Sequence, residues 1–171
     1  MNEPVNEPVI ETERLHLRRP TPADVDSPPP WLSDAAVMNW LGGFEEPPAE
    51  VVQIWLHQWD MFPAGNLLIH RRLDGVLVGV VSMNYYDPET WMRSPDGVPE
   101  LGWALEREHW GHGYASEAAR AYRDWLVAPR VISLIAPANL RSQAVAARLG
   151  AQPERTVTMP SSREHVVWLH P

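Results

Sequence analysis

The sequence predicts a mixed α/β fold in which one sheet is flanked by helices, and three observations carry that expectation. Short β-rich runs recur along the chain, two segments show strong helical periodicity, and a strand-like run passes through a glycine turn straight into a helix. With 171 residues, 44% hydrophobic and 21% charged, the chain can bury the core of one ordinary globular domain.

Taken in order, the tandem NEPVNEPV is polar and proline-broken, so residues 1–9 read as a mobile tail ahead of a single domain over residues 10–171. Arg14 to Arg19, RLHLRR, alternates as a strand with Leu15 and Leu17 on one face. TPAD offers a helix start, which Pro28-Pro29-Pro30 keeps short. From Ala49 to Phe62, opened by Pro47-Pro48, a helix sets Val52, Trp55, Leu56, Trp59 and Phe62 on one stripe.

Two β-rich runs then flank Asp74-Gly75, a dipeptide that favours a tight hairpin turn of the primed kind. Asn84 to Pro99 reads as loop, with DPET and SPDG as turn signals and an isolated Trp91. Glu100 to Leu105 reads as a strand. Gly113 to Val127 is a helix whose apolar stripe is Ala115, Ala118, Ala119, Tyr122 and Leu126. VISLI is a buried strand, Leu140 to Leu149 a short helix and HVVWL a closing strand.

Composition excludes several functions. The absence of cysteine removes disulfides, thiolate metal sites and a cysteine nucleophile. A net charge of −8 argues against nucleic acid and fits cationic small partners somewhat better, though such a balance usually serves solubility. No apolar run approaches the ~18 residues of a membrane span. The N-terminus lacks the basic and greasy segments of a secretory signal, so a cytoplasmic location is expected.

The glycine turn is the most informative stretch. Gly111-His112-Gly113 stands between a strand and a helix, where bare backbone approaches a ligand closely and the first helical N–H groups lack partners. Such donors, with the positive end of the helix dipole, suit phosphate oxygens. A dinucleotide fingerprint fails because Ser116 stands where its third glycine belongs, and a phosphate-binding P-loop fails for want of a following Gly-Lys-Ser/Thr. A purely structural tight turn remains open on these residues alone.

Three segments in this order, ETERLHLRRPTPAD, PELGWALEREHWGHGYASEAAR and PANLRSQAVAARLGA, resemble the GNAT superfamily of acyl-CoA-dependent N-acetyltransferases. The likeness is to its Rim-type branch, which includes the acetyltransferases of ribosomal-protein N-termini, and it covers residues 10 to 170. It implies a mostly antiparallel central sheet, splayed in the middle, and acetyl-CoA as donor to an amine acceptor. The family's pyrophosphate signature falls on Trp110-Gly111-His112-Gly113-Tyr114-Ala115. By that resemblance the N–H groups of Gly111, His112, Gly113 and Ala115 hold the diphosphate, and Ser116 adds a hydroxyl. Trp110 departs from the general signature but matches the branch. Trp103-Ala104-Leu105 would pair with the pantetheine arm, and Asn139 would touch the cofactor.

Direct transfer needs a base for the amine and a proton for the departing thiolate. Glu100, at the start of the cofactor-binding strand, is the base candidate; Glu117, in the first turn of a helix, is a weaker one explained by the dipole alone. The tyrosine that many relatives place seven residues after the asparagine is Ala146 here; Rim-type relatives can use a serine three residues after the asparagine, so the resemblance makes Ser142 the acid candidate. That serine could equally cap its own helix. His109 and His112 have no third ligand at metal spacing, and no metal is expected; His109 reads as a surface-loop residue.

Acceptor recognition is expected from the segment Ser27 to Gly43, the Trp55 and Trp59 helix and the loop Tyr85 to Asp96, with Trp40 and Trp91 as pocket walls. Most of the nine tryptophans read as core. Neither the acceptor nor the choice between monomer and homodimer is legible. A non-catalytic acyl-CoA sensor, and more remotely a nucleotide-binding module, stand as rival readings.

Overall fold

Strands form where apolar residues alternate and helices where they recur every third or fourth place. The computed structural model describes residues 9–41 and 45–171. The expected tail therefore lies, except for Val9, outside the described residues, as do Gly42 and Gly43 of the acceptor segment.

Eight strands make one sheet: β1 (Ile10–Glu11), β2 (Leu15–Arg18), β3 (Asn66–Arg71), β4 (Leu77–Tyr86), β5 (Val98–Leu105), β6 (Ile132–Ile135), β7 (Gln152–Thr158) and β8 (Glu164–Leu169). Their order across the sheet is β1-β2-β3-β4-β5-β6-β8-β7, and every pairing is antiparallel except β5 with β6. The helices are α1 (Pro22–Asp26), α2 (Ala35–Met38), α3 (Pro48–Met61), α4 (Tyr114–Leu126) and α5 (Leu140–Arg148). The fold is thus the mixed, mostly antiparallel α/β architecture expected.

Alternation sorts the central strands onto two faces. Leu67 and Ile69 of β3 and Val81 and Met83 of β4 pack with Ala115, Ala118, Ala119 and Tyr122 of α4. Leu68 and Val80 point the other way, onto Val51, Val52 and Trp55 of α3. Tyr122 also pins α4 to the chain entering β3, its hydroxyl donating to the Gly65 carbonyl at 2.7 Å. α4 ends at Val127, which adopts a left-handed conformation (φ 48°) with Pro129 two residues on.

Two details differ from expectation. The hairpin turn is not of the primed type: Gly75 N–H donates back to the Arg71 carbonyl at 2.8 Å, and only Gly75 in the turn has positive φ. Arg71 grips the Asp74 carboxylate (Nη2 to Oδ2 2.6 Å), and Asp74 accepts from the Val76 N–H, which favours this wider loop. β4 and β5 also run further, pairing Asn84 to Tyr86 with Glu100 to Val98 where a loop was expected. Pro99 is tolerated because β6 pairs with β5 only at Glu100, so no ladder donor is needed on that side.

That single pair, Glu100 with Ile132, is also where the sheet opens. Beyond it β5 and β6 diverge, and side chains bridge the gap in place of main-chain bonds. The buried Ser133 hydroxyl donates to the Leu101 carbonyl at 2.6 Å and lies 2.8 Å from His170 Nε2.

Candidate active site

β5 delivers the chain into the glycine turn, and two glycines make the turn possible. Gly111 (φ 81°) and Gly113 (φ 80°) are both left-handed, a region costly to other residues. Among the described residues, no acceptor meets the N–H groups of Gly111, His112, Gly113, Ala115 or Ser116. The Ser116 hydroxyl is likewise buried without a partner. Five unpaired amide donors and an orphaned hydroxyl at the start of the 13-residue α4 form a site for an anion.

A residue that the sequence reading did not single out braces this turn. Arg14 donates to the His112 carbonyl at 2.9 Å, pairs with Glu117 at 2.6 Å and lies 4.8 Å over the Tyr114 ring. Its place in RLHLRR carries no signal of this, because the contact spans 98 residues. Arg14→Ala should loosen the turn and weaken coenzyme A binding roughly threefold to tenfold, the worth of one partly exposed charge-assisted bond; titration calorimetry reads this directly. An unchanged affinity would make the brace dispensable.

Glu117 is consumed by this brace. Burial pushes its carboxyl up, but hydrogen bonds from Thr12 and Arg14 outweigh burial and hold it below the usual carboxylate range. Trp110 is fixed by a bond from its indole N–H to the Leu105 carbonyl at 2.8 Å, and Arg141 lies 4.2 Å over its ring. His112 stacks on Tyr114 with ring centroids 5.6 Å apart. His109 is buried rather than on an exposed loop, because the 3-10 turn Arg107–His109 folds it inward. That turn brings Glu106, Glu108 and His109 within 4.8 Å of one another, a grouping that local spacing alone did not suggest.

From the turn a cleft of about 1140 Å³ runs along β5, past Trp103, Ala104 and Leu105, to Glu100. Asn139 and Ser142 line its opposite wall, and Trp40, nearly half exposed, stands at its edge. Asn139 spends its side-chain oxygen on capping α5, accepting from the Ser142 N–H at 3.2 Å. The Ser142 hydroxyl makes no hydrogen bond among the described residues. Ala146 is fully buried against Ile135, Ala151 and Trp168, so no hydroxyl replaces the absent tyrosine there.

Trp91 is a correction. It does not line the cleft but packs against Ile132 and Val167, capped by Arg155 at 5.9 Å. An indole in a polar loop gains more by covering the back of β6 and β8 than by facing water.

Glu100 sits where β5 and β6 part, in a chain of polar side chains that sequence reasoning did not anticipate. Asn84 donates to Glu100 Oε2 at 2.9 Å and accepts from Arg93 at 2.7 Å. Gln58 reaches Asn84 Oδ1 at 3.3 Å, and Asn66 donates to Gln58. Burial raises the Glu100 pKa, and the bonds from Asn84 and the Leu134 N–H with the Arg93 charge oppose burial without cancelling it. The result is a carboxyl able to exchange a proton nearer neutrality than an exposed one.

A sheet opened at one pair, a helix N-terminus with free amides beside the opening and a buried carboxyl at its apex define the architecture of a GNAT-type acyltransferase. Comparison with known proteins agrees: the family model for the acetyltransferase (GNAT) domain matches residues 14–152, and the chain belongs to that family. The crystal structure of the acetyltransferase from Agrobacterium tumefaciens str. C58 is similar at 30% identity and TM-score 0.78, covering 100% of this chain and 98% of that one. Aminoglycoside acetyltransferase AAC(6')-Ib, in complex with coenzyme A, shares the fold at 20% identity and TM-score 0.69, over 91% of this chain and 94% of that one. The uncharacterized protein YkkB of Bacillus subtilis is 41% identical over 64 residues, a match that spans 35% of this chain and 37% of YkkB.

Proposed function

We propose that this protein is a cytoplasmic N-acetyltransferase that moves the acetyl group of acetyl-CoA directly onto a primary amine of a small molecule or peptide N-terminus. The observation that carries this reading is the continuity of one cleft from the unpaired amides of the turn to the buried Glu100. Acetyl-CoA supplies an acyl thioester, and the chain's residues supply the rest. Amides of Gly111, His112, Gly113 and Ala115, with the Ser116 hydroxyl, hold the diphosphate. The side of β5 that β6 leaves unpaired, at Trp103 to Leu105, takes the pantetheine amides.

Glu100 receives the acceptor's proton, directly or through one water, as the amine nitrogen bonds to the acyl carbon. The carbon–sulfur bond breaks, and the Ser142 hydroxyl hydrogen-bonds the departing sulfur, passing it a proton as it takes one from solvent, while Glu100 later gives its proton back to solvent. With no cysteine in the chain, direct attack is favoured over a thiol-linked acyl-enzyme. The Trp-Gly-His-Gly-Tyr-Ala run supports placing the chain in the Rim-type branch. No helix among the described residues is long and apolar enough to cross a membrane.

Because the chain has no thiol of its own, every thiol titrated in a reaction mixture comes from coenzyme A. Thiol release from acetyl-CoA that depends on added amine is the expected result. Tight coenzyme A binding with no amine-dependent release across a broad panel would instead favour the sensor reading, whose specific support is the buried Ala146 in the tyrosine's place.

A further inference from the structure

The acidity of the chain is not where a cationic acceptor would need it. Among the described residues lining the cleft, Glu100 is the only acid, while Arg93, Arg141 and Arg148 are all present. Arg141 stands at the turn end over Trp110. Arg93 belongs to the other end, joined to Glu100 through the Asn84 amide.

Arg93 is held as a recognition group would be. An isolated bridge to Tyr86 fixes its backbone, and its guanidinium lies 5.1 Å over Phe62 and 5.6 Å over Tyr86. Its side-chain hydrogen bond goes to a neutral amide oxygen, and among the described residues no carboxylate lies within ion-pair distance of it. A fixed guanidinium with spare donors suits a carboxylate, which accepts two of them side by side. The same charge repels a polycation, which a single buried Glu100 could not offset. Trp40, Ile54 and Trp55 offer an apolar wall to the body of such a molecule.

Resting on the acetyl-transfer reading above, we infer that the acceptor is a small amine that carries its own carboxylate, as an amino acid does. Its anion sits on Arg93 and its amine is turned toward Glu100. Polycationic aminoglycosides are excluded from this site. Asn84 fixes the spacing between the two charged groups.

The test is a thiol-release panel containing the twenty amino acids, their amides, their decarboxylated amines where these exist, and kanamycin. For the best-used side chain, the free carboxylate should raise kcat/KM at least about tenfold over its amide. Arg93→Met should abolish that ratio, chiefly through KM, and Arg93→Lys should restore part of it. Equal use of amide and acid, preference for kanamycin, or an Arg93→Met loss shared equally by all acceptors would overturn the inference. The last outcome would leave Arg93 only as the counter-charge of Glu100. Silence of every amine with coenzyme A still bound would instead sink acetyl transfer itself.

Discussion

Gly113→Val is expected to weaken coenzyme A binding at least about tenfold and to lower kcat/KM correspondingly. The reason is backbone conformation rather than bulk. A Cβ built at Gly113 would meet only Arg14 Nη2, at 3.5 Å, an ordinary contact. Holding a β-branched residue at φ 80° costs about 1–3 kcal/mol. The turn escapes that cost by rotating, and rotation re-aims the amides of Gly113 and its neighbours. Gly113→Asn supplies the control, because asparagine tolerates the left-handed region and should retain most of the affinity. Calorimetry with coenzyme A separates the two variants. Equal and undiminished binding by both would remove the phosphate-cradle assignment.

Glu100→Gln should lower kcat/KM on the order of 10² near neutral pH, the usual worth of a positioned base. The pH dependence gives the sharper test. Burial raises the Glu100 pKa, so the carboxylate is available only above that raised value, and activity should climb as pH passes it. An α-amine with pKa near ~8 loses its own proton above that point. The deficit of the variant is therefore largest between the two pKa values and shrinks on either side; a deficit constant across pH would demote Glu100.

Stability follows with the opposite sense to an exposed, paired carboxylate. The folded pKa lies above the unfolded one, so the native state binds more protons within that window. Stability is then lost as pH rises through the window, by about 1.4 kcal/mol for each tenfold by which folding strengthens the carboxyl's hold on its proton. Urea denaturation across pH should show this slope in the difference between native protein and Glu100→Gln, because the lowered carboxyls such as Asp24 and Glu117 contribute alike to both.

What could be read early was whatever is encoded locally. Amphipathic α4, alternating β2 and the glycine turn each rest on neighbours within a few residues and formed within a residue or two of expectation, and the β3–β4 hairpin formed with a wider turn and a longer second strand. The loop expected from Asn84 to Pro99 formed only between β4 and β5, over residues 87–97, and its two ends became strand for the converse reason. Asn84 and Pro99 look like breakers alone, yet cross-strand pairing with Glu100 and Tyr85 makes them strand. Trp91 looked like a pocket wall because an isolated aromatic in a polar loop has no local partner; its partners, Ile132 and Val167, are far along the chain.

The site divides along the same line. The sequence alone marked the glycine turn ahead of a helix, where local geometry leaves the first N–H groups without helical partners, and the family resemblance pointed to Glu100, which stands at the third position of β5. Only the tertiary structure decided that β5 and β6 part at Glu100, that Arg14 braces the turn from 98 residues away, and that Arg93 reaches the same carboxyl through Asn84. Burial and charge neighbourhood depend on which distant segments meet, and spacing along a chain carries no record of that.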